Sequence, residues 1–266
     1  MSAAVAPVDE ILPAPRLFVL GIQHVLVMYA GAVAVPLIVG GALGLAPEQR
    51  ALLISADLFA CGLATLVQSL GLPGVGIRLP VMMGLTFASV APMLAMIGAT
   101  RAAVGAAFQP ADALLTIYGS VIAAGVFGIL VAPFVSRMLP AFPPLVTGTV
   151  ILVIGVSLMR IGINWAGGGL PTITKVVDGV RMQAPNPAYG APLSLLVSLF
   201  VLLVILAVVR WAHGFLANIS VLLGTVAGAV LASLLGEMSF ARVAAAPWLA
   251  PIMPLQFGMP SVMRTT

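Results

Sequence analysis

Charge is what this sequence has least of. Only 7% of its 266 residues are Asp, Glu, Lys or Arg, while 62% are hydrophobic and the mean hydropathy is +1.22. A soluble globule needs roughly a quarter to a third of its surface charged. The composition excludes that and is that of a polytopic membrane protein. The 11 basic residues outnumber the 7 acidic ones, but they are scattered rather than gathered into a stripe, which argues against nucleic acid as a partner. Cysteine is nearly absent: Cys61 stands alone in an apolar run, so no internal disulfide can form. The first fifteen residues hold two acids and three prolines where a signal peptide would have a basic stretch and a short apolar core, so no cleavable signal is expected. Also missing are a glycine-rich phosphate loop, a cluster with metal-ligand spacing and a nucleophile with its base. An enzyme is therefore the least supported class, and neither a metal nor an organic cofactor is expected.

What is present is a series of uncharged runs, each near the 20 or so residues that cross a hydrocarbon core. Segment one lies within Leu17 to Pro47 and is expected to end near Gly40 and Gly41. Segment two runs from Ala51 to Leu70, segment three from Pro80 to Ile97 and segment four from Ala113 to Val135. Segments five, six and seven cover Pro144 to Met159, Pro192 to Val209 and Leu216 to Leu235. The reading is thus an all-α polytopic membrane protein with seven transmembrane segments. A loop rich in glycine and proline, Gly162 to Gly190 with Lys175, Asp178 and Arg181, reads as an extramembrane excursion carrying at most a short amphipathic piece. From Val243 to Met263 the chain is uncharged, but Pro247, Pro251, Pro254 and Pro260 forbid a regular helix, so an interfacial strap is expected. Arg16, Arg78, Arg137 and Arg210 fall on one side of the membrane. Arg50, Arg101, Arg160, Lys175, Arg181, Arg242 and Arg264 fall on the other, and with the long loop and the last stretch set aside the bias does not decide orientation. Gly224 and Gly228 in segment seven, and Gly119, Ala123, Ala124 and Gly128 in segment four, are small residues at spacings that let helices approach closely.

Segment three is the irregular one. Pro80, Gly84 and Pro92 interrupt it, and Thr86 and Ser89 flank Phe87. Non-helical backbone is tolerated at membrane depth only where it is buried in protein or lines a cavity, and interrupted spans point to a transporter's binding site. In such a break the Phe87 ring, between Thr86 and Ala88, could stack on a flat heterocycle while bare main-chain amides bond its edges. The competing reading is an ordinary core phenylalanine in a kinked span. Two ionisable residues lie well inside the other spans: His24, which follows Gln23 in segment one, and Asp57 in segment two. Charge at mid-membrane is costly, so such groups are paired and often functional. His24 could bond a substrate, relay a proton or tie one helix to the next, and Asp57 could pair across helices or take part in transport. His213, beside Arg210 and Trp211, reads as interfacial.

Several stretches together carry a resemblance: Gly21-Ile-Gln-His-Val-Leu-Val-Met-Tyr29, Leu53-Ile-Ser-Ala-Asp-Leu-Phe59, Gly76-Ile-Arg-Leu-Pro80, Phe142-Pro-Pro-Leu-Val-Thr-Gly148 and Phe257-Gly-Met-Pro260. They resemble the nucleobase–ascorbate transporter family (nucleobase:cation symporter family 2), nearest to its bacterial uric acid and xanthine permeases. The resemblance implies one half of a 7+7 inverted-repeat fold, with a short extended stretch breaking the third segment. It implies a cytoplasmic N-terminus at 1–16, half of a core domain at 17–139 and half of a gate domain at 140–236 around the 162–190 loop. A final extramembrane or interfacial stretch at 237–266 would be cut short. It further implies proton-coupled uptake of a purine, urate or xanthine, across the cytoplasmic (inner) membrane. Implied with that are no cofactor beyond the coupling proton, a lipid bilayer around the chain and a homodimer in the full-length form.

By the same resemblance Phe87 matches the aromatic residue that contacts the base. Thr86 matches the position tied to purine preference, in its uric acid form, and His24 the histidine that supports the site; Ala88 neighbours the bound base. Gln23, Asp57 and Ser89 remain structural or coupling candidates. The family's acidic binding residues and Gln-Asn-x-Gly signature belong to the second repeat and do not occur here. A fragment, frameshifted reading or early-stop product with little transport of its own is the expectation. The alternative is a non-transporting half-repeat that dimerises with or regulates a full-length permease.

Overall fold

The structure, a computed structural model, describes residues 12–72, 74–138, 140, 142–177, 180–238, 240–245, 253 and 256–261. Its helices are α1 (Ala14–Leu43), α2 (Pro47–Leu70), α3 (Val90–Val104), α4 (Pro110–Met138), α5 (Pro144–Ala166), α6 (Pro192–Trp211), α7 (Phe215–Asn218), α8 (Ser220–Leu234) and α9 (Ala241–Ala245). Two 3₁₀ turns, Phe87–Ser89 and Gly105–Ala107, bracket α3. Among the described residues six helical stretches are long and apolar enough to cross a membrane: α1, α2, Phe87–Val104, α4, α5 and α6. The architecture is all-α and polytopic. The seventh expected span is shorter than its sequence suggests. The chain breaks at Ile219 and α8 has 15 residues, about 22 Å of helix against a hydrocarbon thickness of about 30 Å.

Other boundaries also moved, for local reasons. α1 runs past Gly40 and Gly41 and stops at Gly44, whose φ of +74° suits glycine alone. There the Gly44 N–H bonds the Gly41 carbonyl and the Leu45 N–H the Gly40 carbonyl, a paired closure of the last turn. Gly40 is small for a different reason, because the Arg50 side chain crosses it. α3 begins ten residues after Pro80 and continues beyond Ile97 to Val104, with Pro92 in its first turn, where a missing N–H costs nothing. α5 extends through Gly162 to Ala166. The excursion after it contains a β-hairpin rather than an amphipathic helix: β1 (Thr172–Val177) pairs antiparallel with β2 (Val180–Pro185), Thr172 opposite Pro185. The β-branched residues that make up all of Thr172-Ile-Thr-Lys-Val-Val177 except Lys175 favour strand over helix. Asp178 lies outside the described residues, as do residues 1–11, Pro247, Pro251, Pro254 and Arg264.

The chain divides into two compact units. The first takes in Ala60–Gly84 and Ile161–Leu249 with the chain up to Ala32. Within it α6 and α8 pack closely because Gly224 faces Ile205 and Gly228 faces Val201, leaving no room for a Cβ at either glycine. The hairpin is fastened beneath by Gly190 N–H to Gly167 carbonyl (2.7 Å), Asn186 Nδ2 to Leu170 carbonyl (2.9 Å) and Ser198 Oγ to Ala166 carbonyl (3.0 Å).

The second unit comprises Val33–Phe59, Leu85–Arg160 and the chain from Ala250. Its core gathers Val35, Val39 and Leu43 of α1, Leu53 of α2, Val90, Met93 and Ile97 of α3 and Leu114 and Ile117 of α4. Two arginines close the end of α1. Arg101 donates from Nη2 to the Ala42 carbonyl at 2.9 Å and stacks over Phe108 at 4.6 Å, and Arg50 Nε donates to the Leu45 carbonyl at 3.0 Å. Cations suit this end of a helix, where unpaired carbonyls accumulate partial negative charge.

Candidate functional site

The break in the third span is built by its own sequence. α2 ends at Leu70, and the following loop folds back so tightly that a Cβ on Gly76 would stand 2.5 Å from the Val67 carbonyl oxygen. Arg78 returns its N–H to the Gln68 carbonyl (3.2 Å) with φ at +55°. Pro80 has no N–H to give a helix, and from Pro80 to Thr86 the backbone has no helical turn. Thr65, on α2, secures the stretch from the side: Met83 donates its N–H to Thr65 Oγ1 at 2.9 Å. Gly84 lies against the half-buried Met28 of α1, 3.8 Å from where its Cβ would be. His24 stands four residues before Met28 and so on the same face of α1; it is exposed, and Gln23 is half-buried.

At Thr86 the chain turns back into helix. Thr86 is extended (φ −95°, ψ 136°), and its Oγ1 accepts the Ala88 N–H at 3.2 Å, capping the 3₁₀ turn. Ser89 donates both its N–H (3.1 Å) and its Oγ–H (2.7 Å) to the Thr86 carbonyl. These bonds use the Thr86 hydroxyl as an acceptor and the Ala88 amide as a donor. Among the described residues the N–H groups of Gly84, Leu85 and Thr86 meet no hydrogen-bond acceptor. Thr86, Phe87 and Ala88 are exposed and Ser89 is half-buried. Phe87 is 37% exposed. It projects from the start of a helix whose N-terminal end bears partial positive charge.

Asp57 is half-buried in α2 of the second unit. Thr65, which holds the extended stretch, is the residue that sequence reasoning missed. Its signal was there: Asp57, Cys61 and Thr65 recur every four residues and share one face of α2. Among the described residues no group of three or more His, Cys, Asp or Glu could hold a metal ion.

Several spanning helices together with one interrupted span are the features of a membrane carrier. A family model described as "Permease family" (Xan_ur_permease) matches residues 15–265. The chain is 46% identical over 254 residues to the Uric acid transporter UacT of Escherichia coli K12, covering 95% of this chain and 48% of that protein. It is 42% identical over 247 residues to the Uric acid permease PucJ of Bacillus subtilis 168, covering 92% and 50%. Over 242 residues it is 39% identical to the Xanthine permease of the same organism, covering 91% and 49%. The chain belongs to the permease family and is a multi-pass cell-membrane protein; its family and relatives are permeases, not enzymes. It spans about half the length of the curated relatives it matches.

Proposed function

We propose that this chain is the N-terminal repeat of a proton-coupled purine permease that takes up urate or xanthine, with the base held at the break in the third span. The observation that carries the reading is the stretch Gly84–Phe87: three successive amides that meet no acceptor among the described residues, followed at once by an exposed aromatic ring. A flat purine offers carbonyl oxygens and ring nitrogens along its edge to such amides and a π-face to the ring. The positive end of α3 favours urate further, since urate is an anion at neutral pH. Matches to proteins named as uric acid and xanthine carriers support the substrate class.

In this reading residues 17–139 contribute to the moving core and 140–236 to the gate, and no cofactor is needed beyond the coupling proton. Thr86 sets purine preference through the turn it caps, Ala88 and Ser89 fix that turn, and His24 and Gln23 are polar candidates on α1. Asp57 is a coupling candidate, and the full-length form is a homodimer. The test uses a full-length protein that carries this chain as its first half. Phe87→Ala weakens uptake of radiolabelled urate by about tenfold, the size of one base–aromatic stack, while Phe87→Trp retains it. Equal uptake by a well-expressed Phe87→Ala variant refutes the assignment.

A further inference from the structure

Thr65 touches both sides of one residue in the break. Its Oγ1 accepts the Met83 N–H at 2.9 Å and stands 3.5 Å from the Met83 carbonyl oxygen, the two groups that a neighbouring strand would otherwise pair. The stretch so held has a second conformation open to it. Pro80 is a residue that starts helices well, because its missing N–H is one of those a first turn leaves unpaired. In a helix begun there, the Met83 N–H would turn to the Leu79 carbonyl, and the N–H groups of Gly84, Leu85 and Thr86 to the carbonyls of Pro80, Val81 and Met82. The Met83 N–H serves either Thr65 or that helix.

Gly84 tells against the helix as well. It lacks the left-handed φ of Gly74 and Gly76, and a Cβ there would meet only the Met28 side chain, at 3.8 Å, an ordinary contact. The fold therefore has room for alanine at this position. What glycine contributes is its reluctance to be helical, about fivefold against alanine. We infer that Thr65 is a positioning residue which, together with Gly84, keeps residues 80–86 extended, so that the amides of Gly84, Leu85 and Thr86 are presented to a ligand instead of being consumed in a helical turn. The inference deepens the base site proposed above and rests on that reading for its effect on uptake. A purine held by these amides binds the extended form alone, so its apparent affinity falls with the fraction of chains that are extended.

The first measurement needs no purine. With this chain in lipid nanodiscs, hydrogen exchange at the amides of positions 84, 85 and 86 is read by mass spectrometry. Gly84→Ala removes no bond and Thr65→Val removes the acceptor; each slows exchange there. The double variant slows it about tenfold or more, the product of one hydrogen bond and one glycine, and Thr65→Ser exchanges as the parent does. Exchange in α6 is the same in all. A merely structural Thr65 gives the opposite sign, and faster exchange across the stretch in Thr65→Val, or unchanged exchange in the double variant, overturns the positioning role. The second measurement uses the full-length protein that carries this chain as its first half. KM for radiolabelled urate rises about three- to tenfold in Thr65→Val with the maximal rate kept, and Thr65→Ser restores it. An unchanged KM beside slowed exchange overturns the link to substrate. Equal uptake by Phe87→Ala overturns the base site and that link with it, while slowed exchange still supports the balance that Thr65 sets between extended and helical backbone.

Discussion

Met83 gives its backbone N–H to Thr65 Oγ1 at 2.9 Å, so a side chain from the second span does for the third what an intact helix would do for itself. The bond matters because a membrane offers no water to the amides of a broken span. One hydroxyl secures the middle of the extended stretch, and among the described residues the three amides that follow meet no acceptor.

Removing that hydroxyl leaves a main-chain donor without its partner. Thr65→Val, which keeps the shape, costs about 1–3 kcal/mol, read as a lower midpoint for thermal unfolding of the chain in detergent. Thr65→Ser recovers most of the loss. A Thr65→Val variant as stable as the parent would show that the clamp is not formed.

Thr86 shapes its neighbour. Its Oγ1 caps the turn through the Ala88 N–H, so Thr86→Ala loses about 1 kcal/mol of cap and frees the Ala88 amide. In the full-length permease the ranking of urate against xanthine in competition uptake shifts with Thr86→Ala and is kept by Thr86→Ser. An identical ranking in all three would separate Thr86 from substrate choice.

The α6–α8 contact tolerates no side chain at its two glycines. Gly228→Leu drives a branched side chain into Val201 and Gly224→Leu one into Ile205, and overpacking of this kind costs about 1–3 kcal/mol. Either variant yields less folded protein by size-exclusion profile. Gly125→Leu, which meets open space on α4, does not.

Gly76 is held at φ +89° with the Val67 carbonyl oxygen 2.5 Å from where a Cβ would sit. Gly76→Ala therefore displaces the loop that feeds the extended stretch. Limited proteolysis near Arg78 accelerates in Gly76→Ala compared with Gly74→Ala, whose Cβ site is open. Equal cleavage in the two would place the constraint elsewhere.

Much of this was written in local chemistry. Pro80, Gly84 and Pro92 foretold that the third span would not be one helix, because proline withholds an amide and glycine weakens a helix wherever it stands. Gly224 and Gly228 foretold a close helix contact. The end of α1 was harder to read: Gly40, Gly41 and Gly44 all qualify as terminators, and only the observed φ and the Arg50 side chain assign each its role. The hairpin at 172–185 escaped notice because six-residue strands amid glycine and proline read as loop until their partners are known.

By itself, then, the sequence determined that the protein lives in a bilayer and where its third span must break. Those follow from hydropathy and backbone sterics, which act over a few neighbouring residues. Only the tertiary structure decided that Thr65 clamps Met83, that the Thr86 hydroxyl is spent on its own turn and that Phe257 meets Tyr118. A hydrogen bond or a ring pair depends on which residues folding brings within a few ångströms of each other, and partners 18 or 139 positions apart leave no pattern along the chain.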